Sequence, residues 1–218
     1  QKAGNTSKAE NTSNEGNTLS VVEDKGKQLV VANERLADLN EEALALFQKS
    51  PFAFIEEAWG EVPQPPKPEH KEYVLGLYTV PAHKFSEYAA SIHKDMFEDF
   101  VFGKHLTWQQ AILVVAIQRA VNGSLPPNIA VKAGRGTGKS SIVSRLILWY
   151  LFAFPESKIP CTAPTADQLF SVLWSEISLV LSRMAPEYAD MYVWESKFIR
   201  MKQSPAFWYA RAKTASKG

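Results

Sequence analysis

Apolar and polar positions along this chain follow three rhythms, and each predicts a different kind of element. Two windows are apolar almost all round at helical length: Leu106-Thr107-Trp108-Gln109-Gln110 running into Ala111-Ile112-Leu113-Val114-Val115-Ala116-Ile117, and Ser141-Ile142-Val143-Ser144-Arg145-Leu146-Ile147-Leu148-Trp149-Tyr150. Such windows predict helices buried on more than one side. Thr107 is a natural N-cap for the first, and Phe154-Pro155 ends the second. A third helix is predicted from one broad apolar face made by Leu169, Phe170, Leu173, Trp174, Ile177, Val180, Leu181 and Met184. It starts at the capping-box spacing Thr165-Ala166-Asp167-Gln168 and stops near Pro186. Period-two alternation in Met191-Tyr192-Val193-Trp194 and Lys197-Phe198-Ile199-Arg200-Met201-Lys202 predicts a strand hairpin, which continues past Ser204-Pro205 into Phe207-Trp208-Tyr209-Ala210-Arg211. Two short apolar runs, Asn128-Ile129-Ala130-Val131-Lys132 and Lys158-Ile159-Pro160-Cys161-Thr162, read as buried strands on either side of the second helix. Strand, helix and strand in that order make one βαβ unit of a parallel sheet.

The first half reads differently. Residues 1–26 repeat Asn-Thr fragments among Lys and Glu and carry too little apolar surface to offset the entropy of ordering, so a disordered tail is expected. Residues 28–50 predict two short helices, the second starting at Asn40, Glu41 and Glu42. Another is predicted from Pro51, with proline in its first turn. Val62-Pro63-Gln64-Pro65-Pro66-Lys67-Pro68 is an extended connector. Phe85, Tyr88, Ala89, Ile92, Met96, Phe97 and Phe100 recur at roughly helical spacing over 84–102.

Composition narrows the class. A chain of 218 residues that is 45% hydrophobic, with six Trp, is a globular protein long enough for one sizeable core, or for one core plus a smaller lead-in. Its net charge of +1 announces no nucleic acid globally, so any such contact comes from local patches. The basic end is such a patch: Lys197, Arg200, Lys202, Arg211, Lys213 and Lys217 stand among aromatics with Glu195 opposing, which fits either a nucleic-acid backbone or a solvated sheet face. Cys161 is the single cysteine, which favours a reducing compartment. The longest greasy run is too short to span a bilayer of about 30 Å. No apolar signal segment opens the chain, and a soluble cytosolic protein is expected. The four histidines show no metal-ligand pattern.

Candidate chemistry sits between the two predicted strands. Ala133-Gly134-Arg135-Gly136-Thr137-Gly138-Lys139-Ser140 is a Gly-rich run closed by Gly-Lys-Ser, one glycine short of the full phosphate-loop pattern because Ala133 stands first. Gly134, Gly136 and Gly138 let the backbone curl and turn its N–H groups onto a phosphate. Lys139 supplies a charge for the β/γ-phosphates and Ser140 an oxygen for Mg²⁺, while Ser141 continues the helix whose N-terminus faces the anion. A Gln at the start of the preceding helix, Gln109 with Gln110 as competitor, offers an amide to a purine edge. These residues together predict an ATP and Mg²⁺ site on a P-loop NTPase-type α/β fold. The domain plan is a polar tail over 1–26, a helical lead-in over 27–105 and the nucleotide core over 106–218.

Trp108-Gln109, Gly134-Arg135-Gly136-Thr137-Gly138-Lys139-Ser140, Cys161-Thr162-Ala163-Pro164-Thr165 with Gln168 and Trp174, and Trp208-Tyr209-Ala210-Arg211-Ala212 resemble the large subunit of tailed-phage terminases. Those are ATP-driven motors that pump double-stranded DNA into a procapsid. The resemblance covers about residues 100–218. It implies Gln109 at the adenine, Gly134 through Ser140 around the triphosphate with Arg135 sensing the γ-phosphate, and Thr162 to Thr165 coupling nucleotide state to DNA. It further implies work in the host cytoplasm as a homo-oligomeric ring, docked on a procapsid portal with a terminase small subunit. The acidic pair that such a motor needs after an apolar strand is missing beyond Ser140; Met191-Tyr192-Val193-Trp194-Glu195 is the nearest imitation. The chain is therefore expected to stop before that strand and before the nuclease domain, and to hydrolyse ATP poorly alone. A helicase-like translocase and a non-catalytic nucleotide-binding or scaffold protein are the alternatives.

Overall fold

The computed structural model describes residues 41–202 and 209–213. Contacts divide the chain into residues 1–41 and 42–218, and everything below belongs to the second unit apart from Glu41. The expected tail and the first of the two short helices lie outside the described residues.

Helix α1 (Glu41–Lys49) and helix α2 (Pro51–Trp59) follow each other across Ser50, whose hydroxyl caps α2 by accepting from the Ala53 N–H at 3.3 Å. Pro51 opens α2 where a missing N–H costs nothing. Gly60, at φ 67°, closes it in the left-handed conformation. The connector then runs extended, and strand β1 (Val62–Pro63) pairs in parallel with strand β2 (His105–Leu106). Between them lie helix α3 (Lys71–Leu75), helix α4 (Phe85–Ala90) and four 3₁₀ turns. The helix expected over 84–102 is thus only its first six residues, followed by a turn at Lys94–Met96. Of its apolar residues Phe85, Ile92 and Phe97 still face inward, packing with Leu77 against Val115 and Ala116 of helix α5 (Trp108–Val121), while Phe100 is exposed. The spacing recorded burial, and the chain met that burial with turns. Arg119 locks this layer to α5 by donating to the carbonyls of Leu77 at 2.9 Å and Val80 at 2.7 Å.

Helix α6 (Lys139–Ala153) is the centre of the unit. Ile142, Leu148, Trp149, Leu151, Phe152 and Ala153 are all buried, as an all-round apolar helix requires. On one side Phe152 meets Phe54 at 4.9 Å between ring centroids, and Phe54 meets Tyr188 edge-on at 5.7 Å. Trp149 donates to the Phe47 carbonyl at 2.7 Å, so α1 is tied to the same helix. On the other side α6 packs against helix α7 (Ser175–Ser182) and the main sheet. Helix α8 (Pro186–Ala189) brings Tyr188 to the aromatic cluster.

The sheet joins strands β3 (Lys158–Cys161), β4 (Tyr192–Trp194), β5 (Phe198–Met201) and β6 (Tyr209–Ala212) in the order β3-β6-β5-β4. The expected hairpin is β4–β5, antiparallel, and β5–β6 is antiparallel as well. Among the described residues of this sheet only β3–β6 is parallel, so the fold is mixed α/β with a mixed sheet, not one parallel throughout. The strand expected at Asn128-Ile129-Ala130-Val131-Lys132 does not form. Those residues carry no ladder and are exposed apart from half-buried Ile129, with Val131 51% accessible. Two large apolar side chains in five residues bury too little to hold a strand that lacks a partner. The βαβ unit is therefore present only from its helix onward. The third helix starts where expected, with Thr165 capping the Gln168 N–H at 3.2 Å, but Gln168–Trp174 is π-helical and passes straight into α7.

Candidate nucleotide site

The Gly-rich loop leads into the N-terminus of α6. Gly136 at φ 74° and Gly138 at φ 72° occupy the left-handed region, which curls the loop back on itself. Thr137 fixes that curl by donating to the Gly134 carbonyl at 3.2 Å. No side chain caps α6 at Gly138. Arg135 and Gly136 form a turn, and among the described residues the main-chain N–H groups from position 138 to position 141 have no backbone acceptor. A run of unpaired donors at a helix N-terminus is the arrangement that takes an anion. Side chains built at Gly134 and Gly136 would meet nothing within 4 Å, so the space beside the loop is open.

Lys139 lies over the loop. Its ammonium donates to the Ala133 carbonyl at 3.1 Å, to Thr137 Oγ1 at 3.4 Å and, closest of all, to the Gly134 carbonyl. The cation that the sequence reading assigns to the β/γ-phosphates is thus held by the loop's own oxygens. Arg135 is exposed and forms no ion pair among the described residues. The Ser140 hydroxyl is half-buried and makes no hydrogen bond there, whereas its carbonyl accepts from Ser144 Oγ at 2.8 Å. Ser141 is already engaged, since Arg145 donates to its hydroxyl at 2.5 Å and its carbonyl at 3.1 Å.

The two glutamines separate clearly. Gln109 is exposed. Gln110 closes a capping box at the start of α5, its Oε1 accepting from the Thr107 N–H at 3.0 Å while Thr107 Oγ1 accepts from the Gln110 N–H at 3.2 Å. Its amide nitrogen then donates to the Gly138 carbonyl at 3.2 Å. A Cβ at Gly138 would stand 2.5 Å from that nitrogen and push the amide aside, and the φ of 72° already favours glycine there. Sequence reading missed this positioning role, although the Thr107-x-x-Gln110 spacing signals the box. It also missed Arg145, the one charge inside an apolar helix. Arg145 pairs with Glu61 at 2.7 Å, nearly enclosed, and stacks on Trp59 at 5.6 Å, which fixes the first turns of α6 against the connector.

The residues present fit a phosphate group: free donors, open space and one ammonium. They fit Mg²⁺ less fully, because Ser140 offers one oxygen and no cluster of three His, Cys, Asp or Glu capable of holding a metal occurs among the described residues. Thr162, Pro164 and Thr165 are exposed beyond β3, and among the described residues no hydrogen bond joins them to the loop. Cys161 is buried, and burial pushes its thiol up to about 11 from 9.0. No helix among the described residues is long and apolar enough to cross a membrane. Comparison with protein-family models, with curated proteins and with solved structures returns no match.

Proposed function

We propose that this chain is the ATP-binding part of a DNA-packaging motor of the terminase large-subunit kind, coupling nucleotide state to movement of double-stranded DNA. The observation that carries the reading is the loop itself: main-chain donors over 138–141 without a backbone acceptor, on a loop curled by two left-handed glycines, beside the ammonium of Lys139. In this reading Lys139 would hold the β/γ-phosphates, Ser140 would offer its hydroxyl to Mg²⁺, and Arg135 would neutralise the γ-phosphate. Gln109, already exposed, is the amide left for adenine, since Gln110 is committed to the loop. ATP with its Mg²⁺ supplies the transferable phosphoryl group. The chain's residues bind and orient it. Residues 128–132 become a strand of a P-loop parallel sheet once a neighbouring strand pairs with them. A procapsid portal, a small subunit and further copies in a ring are the partners this reading implies.

A second reading, nucleotide binding without turnover, is favoured by one observation. Among the described residues no salt bridge or hydrogen bond brings a carboxylate to the loop, and Glu61 is held by Arg145. Titration calorimetry with ATP and Mg²⁺ tests both. Saturable binding that weakens at least about tenfold in Lys139→Ala is expected, because a charge-assisted contact of about 1.5–3 kcal/mol is removed. Equal affinity in wild type and variant refutes the site. Turnover by the 218-residue chain above background removes the second reading.

A further inference from the structure

The outer face of the sheet carries a second site for phosphates, built from side chains. Register sets Lys158 opposite Tyr209 and Tyr209 opposite Arg200, while Arg211 lies opposite Phe198. Neighbouring residues along a strand point to opposite faces. Ile159, Cys161, Ala210, Ala212, Ile199 and Met201 therefore face inward, where all but half-buried Ile159 are buried, and the basic and aromatic residues share the outside. A groove of about 680 Å³ opens on that face, and Lys158, Lys197, Arg211 and Lys213 line it together with Phe170 and Tyr209. Among the described residues no carboxylate lines it. Glu195, the acid of the adjoining hairpin, is taken by Arg200 at 3.1 Å, and among the described residues Lys197, Arg211 and Lys213 have no acidic partner.

These cations are held in place by the backbone. The Ala212 N–H donates to the Lys197 carbonyl at 2.9 Å, the Lys213 N–H to the Cys161 carbonyl at 2.9 Å, and the Tyr209 N–H to the Ser157 carbonyl at 3.0 Å. Phe170 reaches the groove from the π-helical segment, a rare geometry that recurs at functional sites. Lys197, Arg211 and Lys213 held together repel one another, so the groove favours an anion with several charges. The rings decide which anion. A duplex keeps its base faces stacked inside and offers them nothing, whereas a single strand presents alternating phosphates and open base faces. The volume lies within the range that holds a small ligand, or a nucleotide or two of a strand.

We propose that this groove binds single-stranded nucleic acid, with phosphates on Lys158, Lys197, Arg211 and Lys213 and a base stacked on Tyr209 or Phe170. The site goes beyond the motor reading, which concerns duplex DNA, and rests on neither that reading nor the nucleotide loop. Fluorescence anisotropy of the full chain with labelled oligothymidine of about 20 nucleotides, and with a duplex of the same length, tests it from 50 to 200 mM salt. The single strand binds more tightly than the duplex. In Arg211→Ala/Lys213→Ala the slope of log K against log salt becomes shallower by about 1.4, for two lost phosphate contacts. Tyr209→Leu weakens single-strand binding about five- to 150-fold with the slope unchanged. Should that variant lose its native circular dichroism, Phe170→Leu takes its place with the same expectation. Duplex binding as tight as single-strand binding, or no response to loss of either ring, overturns the proposal. Lys139→Ala keeps single-strand binding, so failure of the nucleotide loop and failure of the groove show up in different assays.

Discussion

The nucleotide loop and the sheet groove both gather positive potential, but with different atoms. At the loop the donors are main-chain N–H groups, and the one ammonium present is held by neighbouring carbonyls. At the groove the charge sits on long side chains standing on a rigid sheet, and none of the lining residues is acidic. A main-chain site depends on backbone curvature, so it tolerates little change of residue and leaves a signature in a few consecutive positions. A side-chain site depends on strand register, so its residues come from positions as far apart as Lys158 and Lys213 and leave no local signature. The first kind suits one compact phosphate group held in fixed geometry. The second suits a flexible polyanion.

Three changes break or sharpen this contrast, beginning with the largest effect. Arg145→Met leaves Glu61 nearly enclosed without its partner and frees Ser141, and a broken buried pair of this type costs about 3–5 kcal/mol. Urea unfolding should show that loss. ATP binding should suffer more than single-strand binding in the protein that still folds, because α6 carries the loop and the groove lies on β3 and β6. Equal losses at both sites would merge the two. Next, Gly138→Ala places a side chain at φ 72° and at 2.5 Å from Gln110 Nε2, costing about 2 kcal/mol in strain and a displaced amide. Weaker ATP binding with an unchanged groove is the expected pair of outcomes, and a silent variant would mean that the tight approach at Gly138 is unimportant. Smallest is the thiol at the end of β3. Burial raises Cys161 above its ordinary 9.0 to about 11, so the native state holds that proton more firmly than the unfolded chain. The stabilising contribution is complete below pH 9 and fades as pH rises through 11. Thiol labelling of the native protein should be slow at about pH 8, and rapid labelling there would place Cys161 at the surface instead.

Much of this was legible in the sequence where burial and local chemistry agree. The all-round apolar window from Ile142 gave α6, Thr107 gave the start of α5, and Pro51 gave α2. Period-two alternation gave the β4–β5 hairpin. The misreadings occur where a segment depends on distant partners. Asn128-Ile129-Ala130-Val131-Lys132 has strand composition, yet a strand exists through its neighbours, and none pairs with it among the described residues. The helical rhythm of 84–102 was real as a burial pattern and false as a helix. The π-helical stretch at Gln168–Trp174 carries no marker that sets it apart from an α-helix. Of the site, the glycines and Lys139 were readable because the curl is local. Gln110 was not chosen because its second partner, Gly138, is remote in sequence. The groove was half seen, as a basic carboxyl-terminal stretch, but Lys158 and Phe170 join it only through the sheet.

Gln110 has a mechanical consequence. One rigid planar amide serves two helices at once: its oxygen closes the first turn of α5, and its nitrogen holds the carbonyl from which α6 departs. When an occupant reshapes the loop and turns the Gly138 carbonyl, the amide must either follow, dragging the opening of α5 with it, or let go and leave that opening loose. Either way a change at the loop is felt in the layer packed on α5, with Leu77, Phe85 and Phe97 in line behind it. The layer packed on α5 is thereby geared to the loop through Gln110, beside the Arg145–Glu61 tie that holds the start of α6 to the lead-in.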